Sequence, residues 1–179
     1  MTTGIAAGVI TSFLFFGPVL AHELMHSIIA QRNGIPVRSI TLFIFGGVSE
    51  ITDEPKQPGV EFRIALAGPL TSLVIGGIFW AIWFLMRGTN DFITAIAFWL
   101  GWINVFLAGF NLIPGFPLDG GRVLRSILWW RSGNLHGATR TASNINRGIG
   151  YLFIFSGIGL IFLGNWFNGL WLTFIGWFL

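Results

Sequence analysis

His22, Glu23 and His26 stand in the order His-Glu-Leu-Met-His. On an α-helix, side chains four residues apart lie one above the other on the same face. His22 and His26 can therefore offer two imidazole nitrogens to one ion, with Glu23 beside it. HExxH zinc proteases use this arrangement: the histidines hold the metal and the glutamate is general base for the attacking water. The flanks are apolar, because residues 10–21 carry no charge and Ser27-Ile28-Ile29-Ala30 follows the motif. Ionisable side chains held in hydrocarbon cost several kcal/mol or more unless they face a partner or a water-filled cavity, which marks them as a functional site.

A catalytic zinc keeps three protein ligands and one open position. The chain contains no cysteine, so the third ligand must be a carboxylate or the remaining histidine. Glu50, Asp53, Glu54 and Glu61 fall in a polar loop, Asp91 in an opposite turn and His136 in a later polar loop, as an ordinary surface residue. Asp119 alone lies in a helix break at membrane depth and is the expected third ligand. As an Asp in Leu-Asp-Gly-Gly it would otherwise be a turn former. Asn111, where that break begins, is a candidate oxyanion donor through its side-chain amide. It can equally cap backbone groups freed where a helix unwinds.

The elements that must position these residues belong to a membrane protein. Of 179 residues, 54% are hydrophobic and 9% charged, against about 25% charged in soluble domains. The net charge of +3 is explained by topology and implies no nucleic-acid partner. The first positive charge is Arg32, so nothing at the N-terminus reads as a cleaved signal. The motif helix should run from about Thr3 to Gln31, long enough to cross about 30 Å of hydrocarbon. Asn33 and Gly34 supply its stop, and Pro18 should bend it one turn before His22. Residues 35–52 are β-branched, aromatic and broken by Gly46-Gly47, as in a small hairpin or sheet. Such a sheet must sit at the interface or against the helices, and its edge would suit an extended peptide.

Further apolar spans are expected at about 62–86 and 92–111, the former opening on Ala67-Gly68-Pro69-Leu70-Thr71-Ser72, whose small residues permit close helix approach. Two prolines and three glycines between Pro114 and Gly121 cannot continue a regular helix. A helix mixing Arg122, Arg125 and Arg131 with aliphatics should come next. Residues 132–147 form the longest hydrophilic stretch, before apolar runs at about 148–163 and 166–179. The last run has no polar flank, as in a chain cut short. The fold class is thus all-α and polytopic, with about five transmembrane helices, a hairpin or sheet at 35–52 and a broken helix at 111–121. It reads as one membrane-embedded domain, core 1–130 with added spans at 148–179. If the first helix ends in the cytoplasm, nine of the ten basic residues lie on that side and only Arg87 opposite. That positive-inside pattern puts the active site nearer the cytoplasm.

His22-Glu23-Leu24-Met25-His26, Phe45-Gly46-Gly47-Val48, Ala67-Gly68-Pro69 and the block from Asn111 to Arg122 (NLIPGFPLDGGR) together resemble the site-2 protease family of intramembrane zinc metalloproteases. The resemblance spans about residues 18–130. It implies a core of three transmembrane helices, Zn2+ held by His22, His26 and Asp119, and Glu23 as catalytic residue. It implies cleavage of a transmembrane protein substrate within the lipid bilayer, usually to release a signalling protein. Phe45, Gly46, Gly47 and Val48 become the expected substrate-binding positions. No soluble regulatory domain is visible, which leaves gating to a regulatory subunit or domain outside the chain. Two readings from other classes compete: a metal transporter, which needs a path to both faces, and a catalytically silent metal-binding adaptor.

Overall fold

The computed structural model describes the backbone of residues 2–43, 46–51 and 54–179, and the side chains of residues 16–37 and 54–179. The chain packs as two compact units, Met1–Asn111 and Leu112–Leu179.

The first unit begins with α1 (Thr2–Arg32), which carries His22, Glu23 and His26 and has Pro18 inside it. Its end is built as the sequence predicts. Gly34 adopts φ +76°, a left-handed conformation that costs glycine little, and the Ile35 amide donates back to Ala30 O at 3.0 Å. The Asn33 side-chain amide donates to Ile29 O at 2.7 Å, so carbonyls that a helix end leaves open are satisfied. Ile35 folds back so that Ala30, Ile35 and Ile64 form a small buried core with Ile29, Val37 and Val60 around it. Two strands come next, β1 (Val37–Phe43) and β2 (Gly46–Ile51). They pair antiparallel from Val37↔Ile51 to Phe43↔Gly46, with an irregularity between Val37 and Ser39, and both lie against α1.

The next two helices are α2 (Pro58–Met86) and α3 (Asp91–Asn111). Proline at the start of α2 is tolerated because the first helical N–H has no partner to lose. This helix begins a turn earlier than the apolar run suggests. Glu61, expected in a polar loop, is instead fully buried in the first turn of α2. The two helices pack along their length, with Trp80 and Trp102 meeting edge to face at 5.3 Å.

The second unit opens with the break, residues 112–118, after which come α4 (Asp119–Ser132), α5 (Leu135–Phe162) and α6 (Trp166–Phe178). The irregular segment is shorter than the expected 111–121, because Asp119 and the two glycines after it already belong to α4. The hydrophilic stretch 132–147 is mostly helical, so His136 sits on α5 and not in a loop, and is exposed. Asn134 caps α5 by accepting from the Gly137 amide at 3.1 Å. Ala138, Ala142 and Asn146 recur every fourth residue on its buried face, which is helical periodicity in small and polar residues. Asn146 Nδ2 donates to Phe116 O at 3.3 Å and Leu179 O at 2.6 Å, so the break is tied to α5. Between α5 and α6, Gly157 and Gly169 meet with nearly bare backbones: a Cβ on either would lie 2.6 Å from the other's carbonyl oxygen.

Among the described residues, three helices are long and apolar enough to cross a membrane: Pro58–Met86, Asp91–Asn111 and Leu135–Phe162.

The start of α4, which sets the position of Asp119, rests on main-chain packing. A Cβ on Gly120 would overlap the carbonyl oxygens of Ile113 and Leu112, atoms that cannot swing aside. Gly120→Ala should therefore destabilise the protein by about 1–3 kcal/mol, read as a lower thermal midpoint in detergent. Gly148→Ala on α5, where a Cβ would meet nothing within 4 Å, should be neutral or mildly stabilising.

Candidate metal centre

His22 and His26 are 2% and 4% exposed. Helical spacing puts both on one face of α1, and that face lies against α2. Their ring centroids are 5.0 Å apart and the planes cross at 70°. A buried imidazole must satisfy both nitrogens, and α2 serves one nitrogen of each ring. His26 Nδ1 donates to Ile64 O at 2.6 Å. A carbonyl can only accept, so this bond fixes the proton on Nδ1 and leaves the Nε2 lone pair outward. His22 Nδ1 meets Ser72 Oγ at 2.9 Å, and the hydroxyl can accept in the same way. Such bonds on the far nitrogen set tautomer and orientation in metal-ligating histidines.

The two Nε2 atoms converge. A Cβ built on Gly68 would overlap His26 Nε2 and lie 2.5 Å from His22 Nε2, and a nitrogen of each ring lies within 4.8 Å of one on the other. Only a glycine lets both Nε2 atoms come this close to the α2 backbone. Two imidazoles whose Nε2 atoms gather at one point fit a borderline divalent cation such as zinc.

Glu23, the second residue of the motif, is buried on α1 beside His22 in sequence, and its backbone carbonyl accepts from Ser27 Oγ at 3.2 Å. Asn111 closes α3, where its Nδ2 donates to Leu107 O at 3.0 Å. One amide hydrogen therefore serves the helix end, the alternative role open to an Asn at that point. Asp119 is the first residue of α4, in the second unit, and is half-buried. Phe45 lies outside the described residues. Gly46, Gly47 and Val48 lie on β2, where only the backbone is described.

Sequence reasoning missed Ile64 and Ser72 as partners of the histidines. Ser72 was visible only as the end of a run of small residues, and a backbone carbonyl leaves no trace in a sequence. The close approach expected of Ala67-Gly68-Pro69 is, at Gly68, an approach to the Nε2 atoms of His22 and His26.

The model of peptidase family M50 matches residues 10–92 and 86–157. Rip3 of Mycobacterium tuberculosis is 41% identical over 168 residues, covering 93% of this chain and 43% of Rip3. The zinc metalloprotease MJ0392 of Methanocaldococcus jannaschii is 38% identical over 146 residues, 81% of this chain and 42% of that protein. Among solved structures, the site-2 protease from Methanocaldococcus jannaschii matches with a TM-score of 0.66 and 33% identity, over 92% of this chain and 74% of that one. The chain spans less than half the length of these two sequence relatives.

Gly68→Ala should displace the two rings and lower zinc affinity at least about tenfold, the scale of losses when ligand orientation is disturbed. Gly77→Ala, on the same helix with nothing within 4 Å of a new Cβ, should leave it unchanged. Zinc titration of the purified proteins, with metal content by elemental analysis, checks both.

Proposed function

The chain belongs to peptidase family M50, the site-2 protease family of zinc metalloproteases, and is an integral membrane protein; on that premise we propose that it is an HExxH-type zinc endopeptidase cleaving a membrane-spanning protein in or near its transmembrane segment. One observation carries this reading: two buried imidazoles, each held through Nδ1 by α2, bring their Nε2 atoms together against Gly68. The comparisons lend no support to a metal transporter or a silent adaptor.

In this reading His22 and His26 are two zinc ligands and Asp119 is the third. Two imidazoles and a carboxylate are a donor set able to hold a metal ion, and zinc accepts such a set while keeping an open position. Asp119 suits the role because the break and the Gly120 packing fix where α4 begins. Zinc, when bound, supplies a Lewis acid that polarises the scissile carbonyl and makes water acidic enough to attack near neutral pH.

The chain's own residues do the rest. Glu23, next to a ligand on the same helix, takes the proton from the attacking water and returns it to the departing amine. The second amide hydrogen of Asn111, the one not given to Leu107, is the donor assigned to the developing oxyanion. A substrate helix must unwind to be cut, and its extended backbone adds to the hairpin edge at residues 45–48. The chain crosses the bilayer about five times, with the active site nearer the cytoplasmic side, a placement that the distribution of basic residues supports.

Glu23→Gln should retain zinc while cleavage of a single-span membrane reporter in reconstituted vesicles falls at least about a hundredfold. His26→Ala and Asp119→Asn should lose zinc as well as activity. A Glu23→Gln protein that cuts at the wild-type rate would refute the role given to Glu23.

A further inference from the structure

The hydrogen bond from His22 to Ser72 leaves one hydrogen on α2 to be placed. For His22 to present its Nε2 lone pair, Nδ1 must carry the proton, so Ser72 Oγ accepts and its own hydrogen needs an acceptor. Ser72 is 0% exposed, which denies it water from bulk. A serine inside a helix commonly turns its hydroxyl to the carbonyl four residues earlier, as Thr71 does to Ala67 O at 2.8 Å. Among the described residues Ser72 makes no such bond, and His22 is its partner.

A complementary group is buried on α3. Asn104 is 1% exposed. Its Nδ2 donates to Leu100 O at 2.8 Å. Because that carbonyl can only accept, the amide orientation is fixed and Oδ1 is the atom left over. Among the described residues Asn104 Oδ1 is a buried acceptor with no partner. A buried polar atom in that state costs about 1–3 kcal/mol, so it calls for an explanation.

Gly68, Ser72 and Gly76 recur every fourth residue and so share one face of α2. Gly68 meets the two histidine rings, and Gly76 packs against α3: a Cβ there would be 3.1 Å from Gly101 O and 3.4 Å from Asn104 Cβ. Asn104 thus stands one helical turn along that face from Ser72. We propose that Asn104 is a positioning residue for the metal centre, its Oδ1 receiving the Ser72 hydroxyl hydrogen through one buried water. A file of hydrogen bonds, Nδ1–H of His22 to Ser72, Ser72 to water, water to Asn104, then holds His22 in the tautomer that can bind zinc. Water is the natural bridge, since buried waters sit between polar groups that lack protein partners.

This role for Asn104 rests on the zinc-ligand role of His22, and the test separates the two. Zinc affinity is measured on the purified wild-type protein and on Asn104→Leu, Ser72→Ala and the double variant. Asn104→Leu removes the acceptor and is expected to weaken zinc at least about tenfold. The double variant is expected to be no weaker than Ser72→Ala alone, because both substitutions cut one file. If Asn104→Leu does not fold, Asn104→Ser serves: its hydroxyl can still bond Leu100 O but is too short to offer the outward acceptor, and the same loss is expected. Wild-type zinc affinity in a folded Asn104 variant, or losses that add in the double variant, overturns the proposal while His22 remains a ligand. A wild-type protein that binds no zinc overturns the ligand assignment and the role of Asn104 with it.

Discussion

Two imidazole rings cannot be held inside a membrane protein with a nitrogen facing hydrocarbon, and much of the packing between α1 and α2 answers that constraint. Each ring has two nitrogens, and the protein satisfies one of them. Ile64 O and Ser72 Oγ do so, and both come from α2. Ile64 O, which can only accept, also decides which nitrogen of His26 keeps a lone pair, and Ser72 Oγ does the same for His22 when it accepts. Orientation, tautomer and burial are therefore solved together by one helix pressed against another.

That pressing explains features that otherwise look separate. The cap at Asn33 and Gly34 turns the chain so that Ile35 returns to Ala30 and Ile64, locking the end of α1 to the start of α2 one turn from His26. Glycine at 68 lets α2 approach where a side chain would collide with both rings. Large exposed apolar side chains such as Val74, Leu85, Trp99 and Phe106 lie elsewhere on α2 and α3, as expected where lipid is the solvent. The second unit uses similar devices: Gly120 seats α4 on the carbonyls of the break, and Asn146 ties the break to α5.

The parts of this arrangement governed by local rules were legible in the sequence. The HExxH spacing placed His22 and His26 on one face, Asn33-Gly34 marked the helix end, and the glycines and prolines from 114 announced irregular backbone. The partners of the rings were not legible, because Ser72 and Ile64 are 50 and 38 residues from the histidines they serve and tertiary packing alone brings them there. Residues 132–147 misled for a different reason. Their buried face is made of Ala138, Ala142 and Asn146, so a periodicity sought in large apolar residues passes over it. Glu61 misled because a carboxylate beside prolines reads as loop, whereas α2 starts at Pro58 and carries it inward.

The face of α2 formed by Gly68, Ser72 and Gly76 also limits how the chain can change in length over evolution. Each residue gained or lost rotates the remainder of a helix by about 100°. An insertion between Ile64 and Ser72 would keep the partner of His26 and swing that of His22 out of reach, while one in the turn between Met86 and Asp91 would leave both undisturbed. Relatives that bind metal with this helix pair should therefore vary freely in length at that turn, and hold the eight-residue interval from Ile64 to Ser72 constant.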